Sequence, residues 1–245
     1  MNWLSYFEYN RDHRMQISWD LPIALSEYVR KQFIRSLQKF QVGESGEGRH
    51  LRKRAARTGD AQYIASIGLF IKEEQEHARL MAGILKSLGA PLISGHWSDV
   101  CFILLRRLFG LKEELLILLI PEMIAKRYFK ALHDGIDSVV VRQVCAQSCH
   151  DEDAHVSFHT DYLNKFYSPL PFHERMIIQT LWRFVFRGAC LVVLWDHGAI
   201  LRAAGVPRGA FWNDCGRIFD EAAAVIFSPP QVLKNPLEQV LAGQT

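Results

Sequence analysis

Four glutamates and two histidines recur in this chain at a fixed interval. Glu44 stands 30 residues before the Glu74 of Glu74-Gln75-Glu76-His77, and Glu122 stands 30 before the Glu152 of Glu152-Asp153-Ala154-His155. The second set repeats the first at an offset of 78. On a helix, Glu-x-x-His puts both side chains on one face a turn apart, where they can hold one metal ion. Two such pairs with two lone glutamates form the ligand set of a two-metal site, and that site needs four helices arranged as two facing hairpins.

The turns agree with this. Glu44 and Glu74 each lie 15 residues from Gly59, and Glu122 and Glu152 lie symmetrically about Asp137. In an antiparallel hairpin, equal distances from the turn are equal heights, here ~22 Å at ~1.5 Å per residue.

Helical periodicity dominates the chain, and no stretch alternates like a strand. Residues 1–19 read as an irregular N-terminal arm. Asp20 with Pro22 opens a helix running to about Arg57, Thr58-Gly59-Asp60 breaks it, and a second helix covers Ala61 to about Leu88. Val100 to Leu108 reads as a short central crossover helix. A third helix spans roughly Lys112 to His133 with a kink at Pro121, and a fourth spans about Asp137 to Phe166. Additional C-terminal helices follow, Phe172 to about Ala204 and Phe211 to Phe227. The expected division is an arm at 1–19, a four-helix bundle at 20–167, added helices at 168–228 and a tail at 229–245.

With 245 residues, 49% of them hydrophobic, the chain can bury one sizeable core. A net charge of +3 gives no support to nucleic-acid binding. The basic cluster Arg49, Arg52, Lys53, Arg54 and Arg57 reads as a solvated helix end. Five cysteines do not make a disulfide framework in a chain this long. The first residues lack the pattern of a signal peptide, and the apolar run Ala189 to Trp195 is too short to span a bilayer, so a cytoplasmic protein without a transmembrane segment is expected.

Glu44, Glu74, His77, Glu122, Glu152 and His155 are the expected metal ligands, with Glu74 and Glu152 as bridges. Two cations ~3.5–4 Å apart need several anionic oxygens, and mixed carboxylate and imidazole donors suit iron or manganese. Composition alone yields roughly 0.6 Glu-x-x-His matches in such a chain. There are three, the extra one being Glu47-Gly48-Arg49-His50. Glu47 is accordingly an alternative or addition to Glu44. His159, a turn after His155, is a second candidate addition, against a plain core role. Gly43, Gly46 and Gly48 read as a bend, a close packing point or an open space beside the ligands. Cys145, Cys149 and Tyr128 read as packing residues. Trp182, Phe184, Phe186 and Trp195 read most simply as core; they could also cover one side of the bundle or form an oligomer interface such as that of a homodimer.

Val42-Gly43-Glu44, Glu74 with His77, Glu122-x-x-Ala125 and Asp151-Glu152-x-x-His155 resemble the helix motifs of the ferritin-like superfamily of di-metal carboxylate proteins. The resemblance covers roughly residues 28–166 and is greatest to oxygenase branches such as the aldehyde-deformylating and arylamine N-oxygenases. It implies an all-α, ferritin-like bundle that activates dioxygen at an Fe/Fe or Mn/Fe centre. The organic substrate is then small and apolar, near Phe40, Phe70, Ile120 and Met123, with an electron donor as a further partner. The alternatives are a ferroxidase or iron-handling protein, with Glu47, Glu73 and Glu76 as an entry route, and a non-catalytic protein with a structural metal site.

Overall fold

Helices account for nearly all of the ordered secondary structure. The structure is a computed structural model that describes residues 2–97, 102, 104 and 110–228. Among these the elements are α1 (Trp3–Asp12), α2 (Glu27–Glu44), α3 (Arg49–Ala56), α4 (Ala61–Ser87), α5 (Leu111–Gly135), α6 (Val139–Tyr167), α7 (Phe172–Asp196), α8 (Gly198–Ala203) and α9 (Arg208–Phe227). The all-α expectation holds: α2, α4, α5 and α6 form a four-helix bundle, and α7 to α9 pack against α5 and α6 as additional C-terminal helices. The expected crossover helix at Val100–Leu108 falls largely outside the described residues.

Side-chain caps fix where the long helices begin. Asp60 accepts a hydrogen bond from the Tyr63 amide and starts α4, and Ser138 does the same for α6 through Val141. Ser26, not Asp20, caps α2, through the Val29 amide. The first bundle helix is also not continuous to Arg57. It stops at Glu44, and the chain turns through Gly46 to Gly48 before α3. Gly48 adopts φ +62, and a Cβ there would collide with the Ile71 side chain, so both its conformation and its packing require glycine. α3 is then drawn onto α5 by Glu114, a fully buried carboxylate 3.0 Å from His50 and 2.9 Å from Arg54. Arg49, Arg52, Lys53 and Arg57 remain in solvent.

Within the expected irregular arm, Trp3–Asp12 is helical. α1 lies along α4, with Phe7 fully buried against Phe158 and with Trp3 donating from its indole to Asp161 at 2.9 Å. Pro121 sits inside α5 without ending it. Five residues before it, Leu116 O accepts from the Trp182 indole at 2.7 Å, which ties α7 to α5. The expected helix from Phe172 to Ala204 is interrupted at His197, which separates α7 from α8.

Candidate metal centre

Helix positions bring the repeated residues together. Glu44 is the last residue of α2, Glu74 and His77 lie mid-way along α4, Glu122 follows Pro121 in α5, and Glu152 and His155 lie mid-way along α6. Donor atoms of Glu74, Glu122, Glu152 and His155 all fall within 4.8 Å of one another, and so do those of Glu44, Glu74 and His77. Glu74 belongs to both groups, as a bridging carboxylate must. Glu152 belongs to the first group, although it also reaches within 3.6 Å of His77 Nδ1.

The two histidines are held alike. His77 turns Nε2 to Asp151 Oδ2 at 2.9 Å, and His155 turns Nε2 to Glu73 Oε2 at 2.9 Å. Each Nδ1 therefore faces the carboxylates: His155 Nδ1 is 3.1 Å from Glu74 and 3.3 Å from Glu122, and His77 Nδ1 is 3.7 Å from Glu74. An outer carboxylate of this kind fixes a ring's orientation and raises its basicity as a ligand. The support is reciprocal, since Glu73 of α4 holds the histidine of α6 and Asp151 of α6 holds that of α4. Glu73 and Asp151 are themselves separated by 151 − 73 = 78 residues, so the repeat extends beyond the donors.

The N-terminal segment completes this outer layer. Asn10 Nδ2 donates to Glu73 at 2.6 Å and to Asp151 at 2.8 Å; Arg14 adds a 2.6 Å contact to Asp151, and Gln147 a 2.9 Å one. Asn10, Glu73 and Asp151 are all buried.

Electrostatics make the inner cluster costly on its own. Burial, followed by the charge of Glu74, pushes the Glu44 carboxyl well above the usual carboxylate range. Burial and then Glu122 do the same to Glu152. Burial alone would also raise Glu74, but its contacts with His155 and His77 hold it below the ordinary value. Burial would lower His155, yet Glu122, Glu152, Glu73 and Glu74 together raise it well above. The cluster thus keeps protons where cations would otherwise balance its charge. Glu74 Oε1, His77 Nδ1 and Glu152 Oε2 are buried without a hydrogen-bond partner, and Glu74 Oε1 lies 3.7 Å from His77 Nδ1. Orphaned donors of these types in two overlapping groups fit a pair of metal ions.

No family model and no curated sequence matches the chain. A solved structure does match. It is a Synechococcus protein with aldehyde deformylating oxidase activity, 16% identical, with a TM-score of 0.60 over 90% of this chain and 98% of that one. At this identity the likeness is one of fold.

The other candidates lie elsewhere. Glu47 is exposed and paired with Arg49, and it belongs to neither donor group. His50, the end of the third Glu-x-x-His match, belongs to the Glu114 cluster. His159 is fully buried between Phe70 and Phe158, with ring centroids at 4.7 and 5.0 Å and neither ring nitrogen hydrogen-bonded; burial pushes it down to about 3. It is absent from both donor groups. Glu73 is buried and supports His155, and Glu76 is paired with Arg79.

A cavity of about 550 Å³ opens from the centre. Glu44, Glu74, Glu122 and Glu152 line one part, and Phe40, Phe70, Ile71, Ile117, Ile120 and Val193 supply much of its apolar wall. Gly43 and Gly46 also line it, and a Cβ at either would meet nothing within 4 Å, so these glycines do border an open space. Met123 is buried in the core and is not part of the lining. Tyr128 stacks on Phe40 at 4.0 Å and bonds to Ser36 at 2.6 Å, which in turn bonds to His197 Nδ1 at 2.7 Å.

Proposed function

We propose that this protein is a di-metal carboxylate oxidoreductase that uses dioxygen to oxidise an apolar organic molecule. The carrying observation is that the four carboxylates of the candidate centre form the polar end of an otherwise apolar cavity. Glu44, Glu74 and His77 would hold one ion, and Glu74, Glu122, Glu152 and His155 the other. An Fe/Fe or Mn/Fe pair held there would supply the redox chemistry that dioxygen activation requires. Reduction of dioxygen to water takes four electrons, so a substrate yielding two leaves two for an electron donor.

The chain's own residues set the remaining conditions. Asp151 and Glu73 keep both imidazoles aimed inward. Glu44 and Glu152, whose carboxyls favour the protonated form, hold protons that metal entry releases. Phe40, Phe70 and Ile120 exclude water and select apolar molecules of a size that about 550 Å³ admits. Iron handling has less support, because Glu47 and Glu76 are engaged by arginines and Glu73 is committed to His155.

The test is metal analysis after metal-replete expression, together with dioxygen consumption driven by a chemical reductant. Two iron or manganese ions per chain, with consumption lost in Glu74→Ala and His77→Ala, is the expected result. Fewer than one ion per chain sinks the reading. A Val193→Trp variant that keeps its metals but no longer responds to added aldehydes or hydrocarbons would place the substrate in the cavity.

A further inference from the structure

α7 buries one side against α5 and α9 and leaves the other bare. It is long and apolar enough to cross a bilayer by length and composition, with a mean hydropathy of 1.6 over its most apolar 18 residues. The short run Ala189 to Trp195 gave no sign of this. Phe184 and Trp195, read from the sequence as core, are 79% and 85% exposed, while Trp182 and Phe186 are buried. Ile177, Leu181 and Leu191 are also exposed, at 58%, 62% and 59%.

These residues form an ordered seam. Ile177, Leu181, Phe184, Gly188, Leu191 and Trp195 follow one another at steps of four, three, four, three and four, the spacing of paired helices. No charge interrupts the seam. Arg183 is turned to Asp220 at 2.7 Å, and Arg187 lies over the Trp212 ring at 4.4 Å and donates to the Trp212 carbonyl. With aromatic side chains of 150–250 Å² and the exposures above, the five large residues present roughly 800 Å². Monomers rarely leave so large a contiguous apolar patch, and it equals the share one partner contributes to a stable interface.

We propose that a second copy of this chain occupies the face, with the two α7 helices antiparallel about a two-fold axis at Phe186. The size pattern selects this arrangement. Ile177 then meets the partner's Trp195, Leu181 meets the partner's Leu191, and Phe184 meets the partner's Gly188, each contact made twice. A parallel pair would set Trp195 on the partner's Trp195 and leave the glycines facing each other over a gap. Gly188 gives the second observation. A Cβ there meets nothing within 4 Å, so the chain's own packing does not call for glycine at a position where it costs about 1 kcal/mol of helix stability. The partner's Phe184 fills that space. This interface is independent of the metal chemistry proposed above.

Sedimentation velocity on the full chain tests the proposal. The expected species has twice the 28.2 kDa chain mass. Leu181→Glu and Gly188→Leu should each weaken self-association at least 100-fold; the second leaves the monomer folded, because its side chain enters open space. After oxidation, Ile177→Cys combined with Trp195→Cys should give an inter-subunit disulfide, and Trp195→Cys alone should not. A monomeric wild type overturns the proposal, as does a dimer that both seam variants leave intact. Cross-linking through Trp195→Cys alone overturns the antiparallel arrangement. A monomer that pellets with phosphatidylcholine–phosphatidylglycerol vesicles, and loses this with Leu181→Glu, assigns the face to lipid instead.

Discussion

Replacing Asn10 with leucine removes one small amide that supports both halves of the candidate metal centre from outside. Its Nδ2 donates to Glu73 at 2.6 Å and to Asp151 at 2.8 Å, and all three side chains are buried. Hydrogen bonds to charged partners contribute about 1.5–3 kcal/mol each. Asp151 retains Arg14, Gln147 and His77, whereas Glu73 keeps His155 and a longer 3.7 Å contact to Arg14. The larger share of the loss therefore falls on Glu73, and about 3 kcal/mol of stability should go in the metal-free protein. Both imidazoles also lose part of their orientation, which should weaken metal binding by about 10–100-fold. Urea denaturation of the metal-free form and competitive manganese titration read the two effects separately. Glu8→Gln, on the exposed side of the same helix, is the control. If Asn10→Leu stays within about 0.5 kcal/mol and about threefold of wild type, α1 is a bystander and the reasoning fails.

Three further outcomes are expected. Glu74→Gln should abolish binding of both ions because Glu74 serves both donor groups, whereas His77→Ala should retain one ion among Glu74, Glu122, Glu152 and His155; elemental analysis distinguishes them. Burial first, and then the charge of Lys39, holds His197 down at about 3, so the native state keeps it neutral while the unfolded chain protonates it below about pH 6.5. Its contribution is thus complete above pH 6.5 and declines toward pH 3 by about 1.4 kcal/mol per unit, so denaturation curves at pH 7 and 5 should diverge more in wild type than in His197→Gln. Gly135→Ala should destabilise by about 1–3 kcal/mol in thermal melts, because a Cβ at the end of α5 meets the Ala204 backbone, which cannot swing aside as a side chain could.

The inner donors were legible because a helix turns spacing into direction: residues three apart share a face, and equal distances from a turn give equal heights. The outer layer was only half legible. Glu73 and Asp151 carry the same offset of 78, but acidic residues beside ligands read as surface charge until burial is known. Asn10 left no signal, being 63 and 141 residues from its partners. Glycine marked the end of α2 ambiguously, since Gly43 to Gly48 suits a bend as well as a break; the collision a Cβ at Gly48 would make with Ile71 is a tertiary fact. α7 was misjudged for a related reason. A helix apolar on nearly every side has no contrast from which to read its covered face.

The exchange of supports between α4 and α6 makes the centre a register lock. His77 depends on a carboxylate of the opposite helix, and so does His155. If α4 slid along α6 by a single turn, about 5.4 Å, both imidazoles would lose their anchors together. Neither imidazole can then be anchored before the two helices are in register. Assembly of the centre and final seating of the two helices become a single event.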